Sequence, residues 1–222
     1  MIERILPVGV ASSEEYADVP DSPLYPEELE AVAGASERRR RAFATGRHCA
    51  RRALDRLGVP AGPLSVGGWG EPLWPAGVAG AITHCEGYRA AAAARSTELA
   101  GLGIDAEPHV PLPAGVLEAV ALPYERGRLR ALARARPGLH WDKILFSAKE
   151  SVYKAWFPLT GRWLDFTQAE LRFHPDPNPA ATAGEFHARL LVAGPVVGGR
   201  TVRHFTGRWL VADGLVITAA NV

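Results

Sequence analysis

The sequence predicts an α+β protein built from two α/β halves, and three observations carry that expectation. Each half of the 222-residue chain reads as a helix-rich stretch joined to a short antiparallel meander. Glycines and a change of pattern near residues 97–103 mark the join, so the expected division is 1–100 and 101–222. Hydrophobic residues make up 47% and charged residues 22%, the balance of a globular chain with cores to bury.

In chain order, residues 1–25 carry Pro7, Pro20 and Pro23 among Asp and Ser, and read as an irregular or extended lead-in. A short helix is expected from Pro26, with acidic residues in its first turn. A longer one spans about 36–57, stopped by Gly58 and Pro60, with Phe43, Ala50, Leu54 and Leu57 as its buried stripe. Residues 60–80 read as turns around short extended pieces, and strands follow at about 79–83, 88–94 and 100–107. Past Pro108 come helices at 114–121, 124–136 and 141–157, the last closed by Pro158. The final third alternates as strands at 171–174, 185–192 and 203–212, and Asp213-Gly214 turns the chain into 215–220.

Composition removes several function classes. A net charge of +1 implies no wholesale binding of nucleic acid. No apolar run approaches the roughly 18–20 residues of a membrane span, and the start Met-Ile-Glu-Arg-Ile-Leu-Pro lacks a signal-peptide pattern. Two cysteines, Cys49 and Cys85, cannot form a disulfide framework and suit a reducing cytoplasm. Of 25 basic residues only Lys143, Lys149 and Lys154 are lysines, and they cluster within a dozen positions. An ammonium and a guanidinium are not interchangeable at a reacting centre, which directs attention to that segment.

Four clusters could carry chemistry. Asp105 and Glu107, two apart on a strand, share a face. Paired carboxylates repel unless a proton or cation lies between them, so the pair suits a hard cation, or else a solvated strand end. On the helix at 141–157, Glu150 and Lys154 are an i, i+4 pair beside Lys149, fit for a polyphosphate-and-cation site or a plain surface ion pair. Arg39, Phe43, Arg47 and Arg51 form one line on the first long helix, with Arg38, Arg40 and Arg41 beside it; guanidinium forks grip phosphates, although such runs also serve as solvated faces. Gly70-Glu71-Pro72 and the segment with Thr83 and His84 are Gly-lined turns able to meet a phosphate or a ring. His48-Cys49 and His84-Cys85 supply four soft ligands, but neighbours on a helix point about 100° apart, which disfavours a shared ion.

Taken together these segments resemble a family. GIDAEP at 103–108 and FSAKESVYKAW at 146–156 are similar to the two signatures of the 4′-phosphopantetheinyl transferases. GRHCARRAL, GEPLWP and GAITHCEGYRAA resemble the Sfp-type monomeric branch, with its actinobacterial and enterobactin-type members. The resemblance implies a fold of two pseudo-twofold-related α/β halves with coenzyme A bound between them. It implies Mg²⁺-dependent transfer of the phosphopantetheine arm of coenzyme A to a serine of apo acyl or peptidyl carrier proteins, releasing 3′,5′-ADP. Asp105, Glu107 and Glu150 would hold Mg²⁺ (Mn²⁺ being an alternative), and Glu150 would take the serine proton directly or through a water. Lys149 and Lys154 would contact the phosphates and pantetheine arm; Arg39, Arg47, Thr83 and His84 would hold the nucleotide end. Carrier domains are typically acidic, which makes Arg126, Arg128, Arg130, Arg134 and Arg136 candidates for docking. A monomer with no nucleic-acid or membrane partner is implied. Two departures stand out: Glu71 occupies a position where many relatives have Lys or Arg, and Ala81 one where they often have Ser. The other open classes are a different Mg²⁺-dependent phosphoryl or nucleotidyl transferase and a non-catalytic coenzyme A or carrier binder.

Overall fold

A computed structural model describes residues 1–222. Its strands form two main antiparallel sheets, the mixed α/β architecture expected. The first half contributes β1 (Ala11–Glu15), α1 (Pro26–Leu29), α2 (Glu37–Arg56), β2 (Val78–Cys85) and β3 (Tyr88–Arg95). Its three-stranded sheet runs β1-β3-β2. The helix α2 starts on a Ser36 cap, whose side chain accepts from Arg39 N at 3.3 Å. It buries Cys49, Ala50, Ala53 and Leu54 against the alanines of β3. Phe43, expected in the stripe, lies only half-buried under the Arg47 guanidinium.

The second half contributes β4 (Leu102–Pro108), α3 (Val116–Val120), α4 (Pro123–Ala135), α5 (Trp141–Thr160), β5 (Ala169–Pro175) and β6 (Ala183–Leu190). It continues with the two-residue strands β7 (Val196–Val197) and β8 (Arg200–Thr201), then β9 (His204–Ala212) and β10 (Leu215–Asn221). The large sheet runs β4-β10-β9-β6-β5. On it lies α5, burying Ile144, Leu145, Ala148, Val152 and Trp156. Each sheet thus carries one 20-residue helix.

Two elements differ from the sequence expectation. Residues 11–15 are a strand although ASSEE has no strand-forming side chains; pairing with β3 along a full register imposes the conformation. Helix α5 runs past Pro158 to Thr160 and ends on Gly161 at φ 60°, whose N–H bonds Phe157 O at 2.8 Å. A proline in the last turn removes one helical donor, and the remaining turn is held by the left-handed cap.

The two sheets meet through a shared apolar layer, in which Ile2, Tyr88, Ala90 and Ala92 pack on Ile104, Leu210 and Ile217. Each fully buried Ile or Leu there contributes on the order of 2 kcal/mol. At the seam β2 lies beside β4, and Ala106 N donates to Thr83 Oγ1 at 3.0 Å across it. No helix is long and apolar enough to cross a membrane.

Candidate active site

The seam brings three elements together: β2, β4 and α5. Gly103 allows the closest approach, since a Cβ there would lie 1.9 Å from Ser151 O and 2.6 Å from Ala155 N of α5. With the strand pressed onto the helix backbone, Asp105 and Glu107 meet the helix face that carries Lys143, Glu150 and Lys154. Those three share a face because seven and eleven residues are close to whole turns.

Asp105 is buried, and its Oδ1 accepts from Lys154 Nζ at 2.7 Å and from Thr83 Oγ1 at 3.4 Å. Its Oδ2 is buried with no partner. Glu107 accepts from Lys143 Nζ at 3.1 Å. Burial first, and then the nearby Asp105 charge, push the Glu150 carboxyl above the ordinary range, with Lys154 opposing them. Three carboxylates therefore crowd one place. As they stand, no three His, Cys, Asp or Glu side chains converge closely enough to hold an ion, and two of the carboxylates are paired with lysines. The donor set nevertheless suits a hard cation: an orphaned buried carboxylate oxygen, and an acid whose charge is disfavoured by its neighbours.

Beside this cluster, Arg39 of α2 reaches across to His84 at the end of β2, where guanidinium and imidazole are in contact. Desolvation and the Arg39 and Lys154 charges lower the His84 pKa. A cleft of about 200 Å³ continues from here between the halves. Gly80, Ala81 and Ile82 face Tyr153, Lys154 and Phe157 across it, and Trp69 and Glu71 close one side.

Two expected site residues lie elsewhere. Lys149 is buried on the flank of α5, donating to Glu125 Oε2 at 2.8 Å and Phe166 O at 2.7 Å. Glu125 also accepts from Leu122 N and Leu171 N, so the ammonium completes a structural hub. Arg47 is buried too: its Nε donates to Leu64 O at 2.9 Å, its guanidinium covers Phe43, and burial lowers its pKa to about 10. Both side chains are occupied inside the fold rather than presented to the cleft. The four soft ligands likewise do not assemble: Cys49 is sealed in the core, bonded to Arg89 O, while Cys85 turns to Glu86 O. Of the α4 arginines, Arg128 is tied to Glu170 and Arg136 to the carbonyls of Ala181 and Asp176.

Residues that sequence reasoning left without a role include Lys143, although the scarcity of lysine pointed at it, and Trp69, whose only signal was its place in the glycine-rich run GGWGEP.

A two-lobed chain whose seam gathers carboxylates, an ammonium and an arginine–histidine pair from both lobes has the build of a transferase for a polyanionic donor. Comparison with known proteins specifies which. Residues 27–94 match the 4′-phosphopantetheinyl transferase N-terminal domain and residues 101–209 the 4′-phosphopantetheinyl transferase superfamily. The chain is 55% identical over its whole length to 4′-phosphopantetheinyl transferase Svp of Streptomyces mobaraensis, covering 89% of that protein. It is 48% identical to the transferase Npt of Nocardia iowensis, over 99% of this chain and 98% of the relative. To PptT of Mycobacterium tuberculosis it is 46% identical, over 99% and 96%. The chain belongs to the 4′-phosphopantetheinyl transferase superfamily. It is a transferase of the Sfp-type, actinobacterial kind, which moves the phosphopantetheine group of coenzyme A to carrier proteins.

Proposed function

We propose that Asp105, Glu107 and Glu150 hold Mg²⁺ against the pyrophosphate of coenzyme A, with Lys154 on its phosphate oxygens and Arg39, Thr83 and His84 at the 3′-phosphate end. The cation would supply charge neutralisation to the pyrophosphate. The single observation carrying this reading is the unpartnered buried Oδ2 of Asp105 beside two further carboxylates. Glu150, whose carboxyl burial and the Asp105 charge push above the ordinary range, is the group suited to take the serine proton. The carrier serine oxygen bonds to the pantetheine-bearing phosphorus as its proton passes to Glu150 or to an intervening water. The bond to the other phosphate breaks, and Lys154 stabilises the charge on departing 3′,5′-ADP.

The acceptors are apo carrier proteins of acyl or peptidyl type. A further relative, 34% identical over 54% of this chain, is named enterobactin synthase component D, of Salmonella typhi, which supports siderophore biosynthesis among the pathways served. The halves 1–100 and 101–222 would act together in one cytoplasmic monomer, since both walls of the cleft come from the same chain. The test is to incubate the protein with an apo carrier, coenzyme A and Mg²⁺ and weigh the carrier by mass spectrometry. Addition of phosphopantetheine that disappears on chelating the metal is expected. Modification that persists without divalent cation overturns the metal reading, and an unmodified carrier with all components present overturns the reading as a whole.

A further inference from the structure

Lys143 is the member of the charged cluster to which the chemistry above gives no task, and its place runs against local preference. As the third residue of α5 it stands in the first helical turn, where the macrodipole favours anions and disfavours an ammonium. It is only 7% exposed, and a lysine is rarely buried without a partner. That partner comes from another element: Nζ donates to Glu107 Oε2 of β4 at 3.1 Å. Nζ also lies 5.5 Å from the centre of the Phe146 ring, which is itself stacked on Phe166. Carboxylate and ring together hold the ammonium in place. The chain's other two lysines differ from it. Lys149 is spent on Glu125, and Lys154, on Asp105, is the one assigned above to phosphate oxygens.

The consequence is electrostatic. Asp105, Glu107 and Glu150 bring three carboxyl groups to the seam, and Lys143 and Lys154 set an ammonium against each of the first two. The remaining negative charge is that of Glu150, which burial and the Asp105 charge already disfavour. A divalent cation entering by itself would therefore meet a nearly neutral site with an ammonium beside each strand carboxylate. Like charges repel more strongly there than in open water. A polyphosphate reverses the balance, because it adds negative charge and gives Lys154 oxygens to turn to. Magnesium sites with one or two carboxylates commonly complete their shell with substrate phosphates.

We propose that Lys143 is a positioning residue that acts through Glu107: its fixed positive charge lowers the cluster's own affinity for a divalent cation, so that the cation is held only jointly with a polyphosphate. The inference rests on the metal reading above and adds to it an order of assembly, in which the cation enters with coenzyme A rather than before it.

Mn²⁺ binding to the full chain tests it, with the free ion counted by electron paramagnetic resonance, with and without coenzyme A. Wild type should bind Mn²⁺ weakly alone and far more tightly with coenzyme A. Lys143→Met should tighten Mn²⁺ binding to the ligand-free protein at least about tenfold, or about 1.4 kcal/mol. Lys143→Arg, which keeps the charge, should stay near wild type. Arg130→Met, which removes an exposed charge on α4, should change nothing. Lys143→Gln repeats the measurement should the methionine variant fail to fold, as judged by circular dichroism. A lysine with a structural role alone would shift Tm and leave Mn²⁺ affinity where it was. Unchanged or weaker Mn²⁺ binding by the neutral variants, a Lys143→Arg protein that tightens as they do, or a wild type that binds Mn²⁺ as well alone as with coenzyme A would each overturn the proposal. A wild type that binds Mn²⁺ neither alone nor with coenzyme A overturns the metal reading itself, and this inference with it.

Discussion

Substituting Gly103 by alanine tests the link between packing and catalysis most directly. The new Cβ would stand 1.9 Å from Ser151 O and 2.6 Å from Ala155 N, where Cβ contacts stay beyond 3.0 Å. Both obstacles are helix backbone, so no side chain can swing aside, and α5 must retreat from β4 by roughly 1 Å. Overpacking of this kind costs about 1–3 kcal/mol, and a backbone conflict belongs at the upper end. At about 2–4 °C per kcal/mol for a chain of this length, Tm should fall by about 6–12 °C. Activity should fall further than stability. The Lys154–Asp105 contact of 2.7 Å crosses the same interface, and a 1 Å misplacement costs on the order of a hundredfold in rate. Gly138→Ala is the control, since a Cβ there meets nothing within 4 Å. Circular-dichroism melts and urea titrations measure the first effect, and carrier modification rates below the transition measure the second. A Gly103→Ala protein that melts and turns over like the Gly138→Ala control would refute the reasoning.

Four further outcomes are expected. Glu150→Gln keeps an oxygen ligand but cannot take a proton, so kcat should drop far more than KM for coenzyme A rises; a change confined to KM would move the base elsewhere. Arg39→Ala should weaken coenzyme A far more than 3′-dephospho-coenzyme A, whereas Arg47→Ala, which strips a donor from Leu64 O, should mainly lower Tm in thermal melts. Hydrogen bonds from Arg128, Arg189 and Arg172 hold Glu170 at a pKa of about 2. Because the folded value lies below the unfolded one, that stabilisation is full above about pH 4.5 and is lost as pH falls towards 2. Urea midpoints of Glu170→Gln should accordingly be lower than wild type at neutral pH and converge with it in acid. Reversing the exposed Arg130 and Arg134 to Glu should raise KM for an acidic carrier at low salt and leave coenzyme A affinity alone, because rim charges act on encounter and are screened by salt. A carrier KM unmoved at low salt would send docking to another face.

Much of this protein was legible in one dimension because its key spacings are also structural periods. Asp105 and Glu107 share a face in any strand, and Glu150 and Lys154 share one in any helix, so both halves of the cluster could be read before any fold was known. The Asp213-Gly214 turn and the two long helices follow from equally local rules. Partners across space are another matter. Lys149 lies next to Glu150 in sequence but on another flank of α5, and only the packing of α4 decided that its ammonium would meet Glu125. Arg47 continues the line of Arg39 along α2, yet two turns further along the helix lies against Leu64 rather than the cleft. The strand at 11–15 exists because β3 offers it an edge. Helical and strand periods dictate which way a side chain leaves its own backbone, whereas what it encounters depends on how separate elements are stacked, and here that stacking turns on the close approach of β4 and α5 at Gly103.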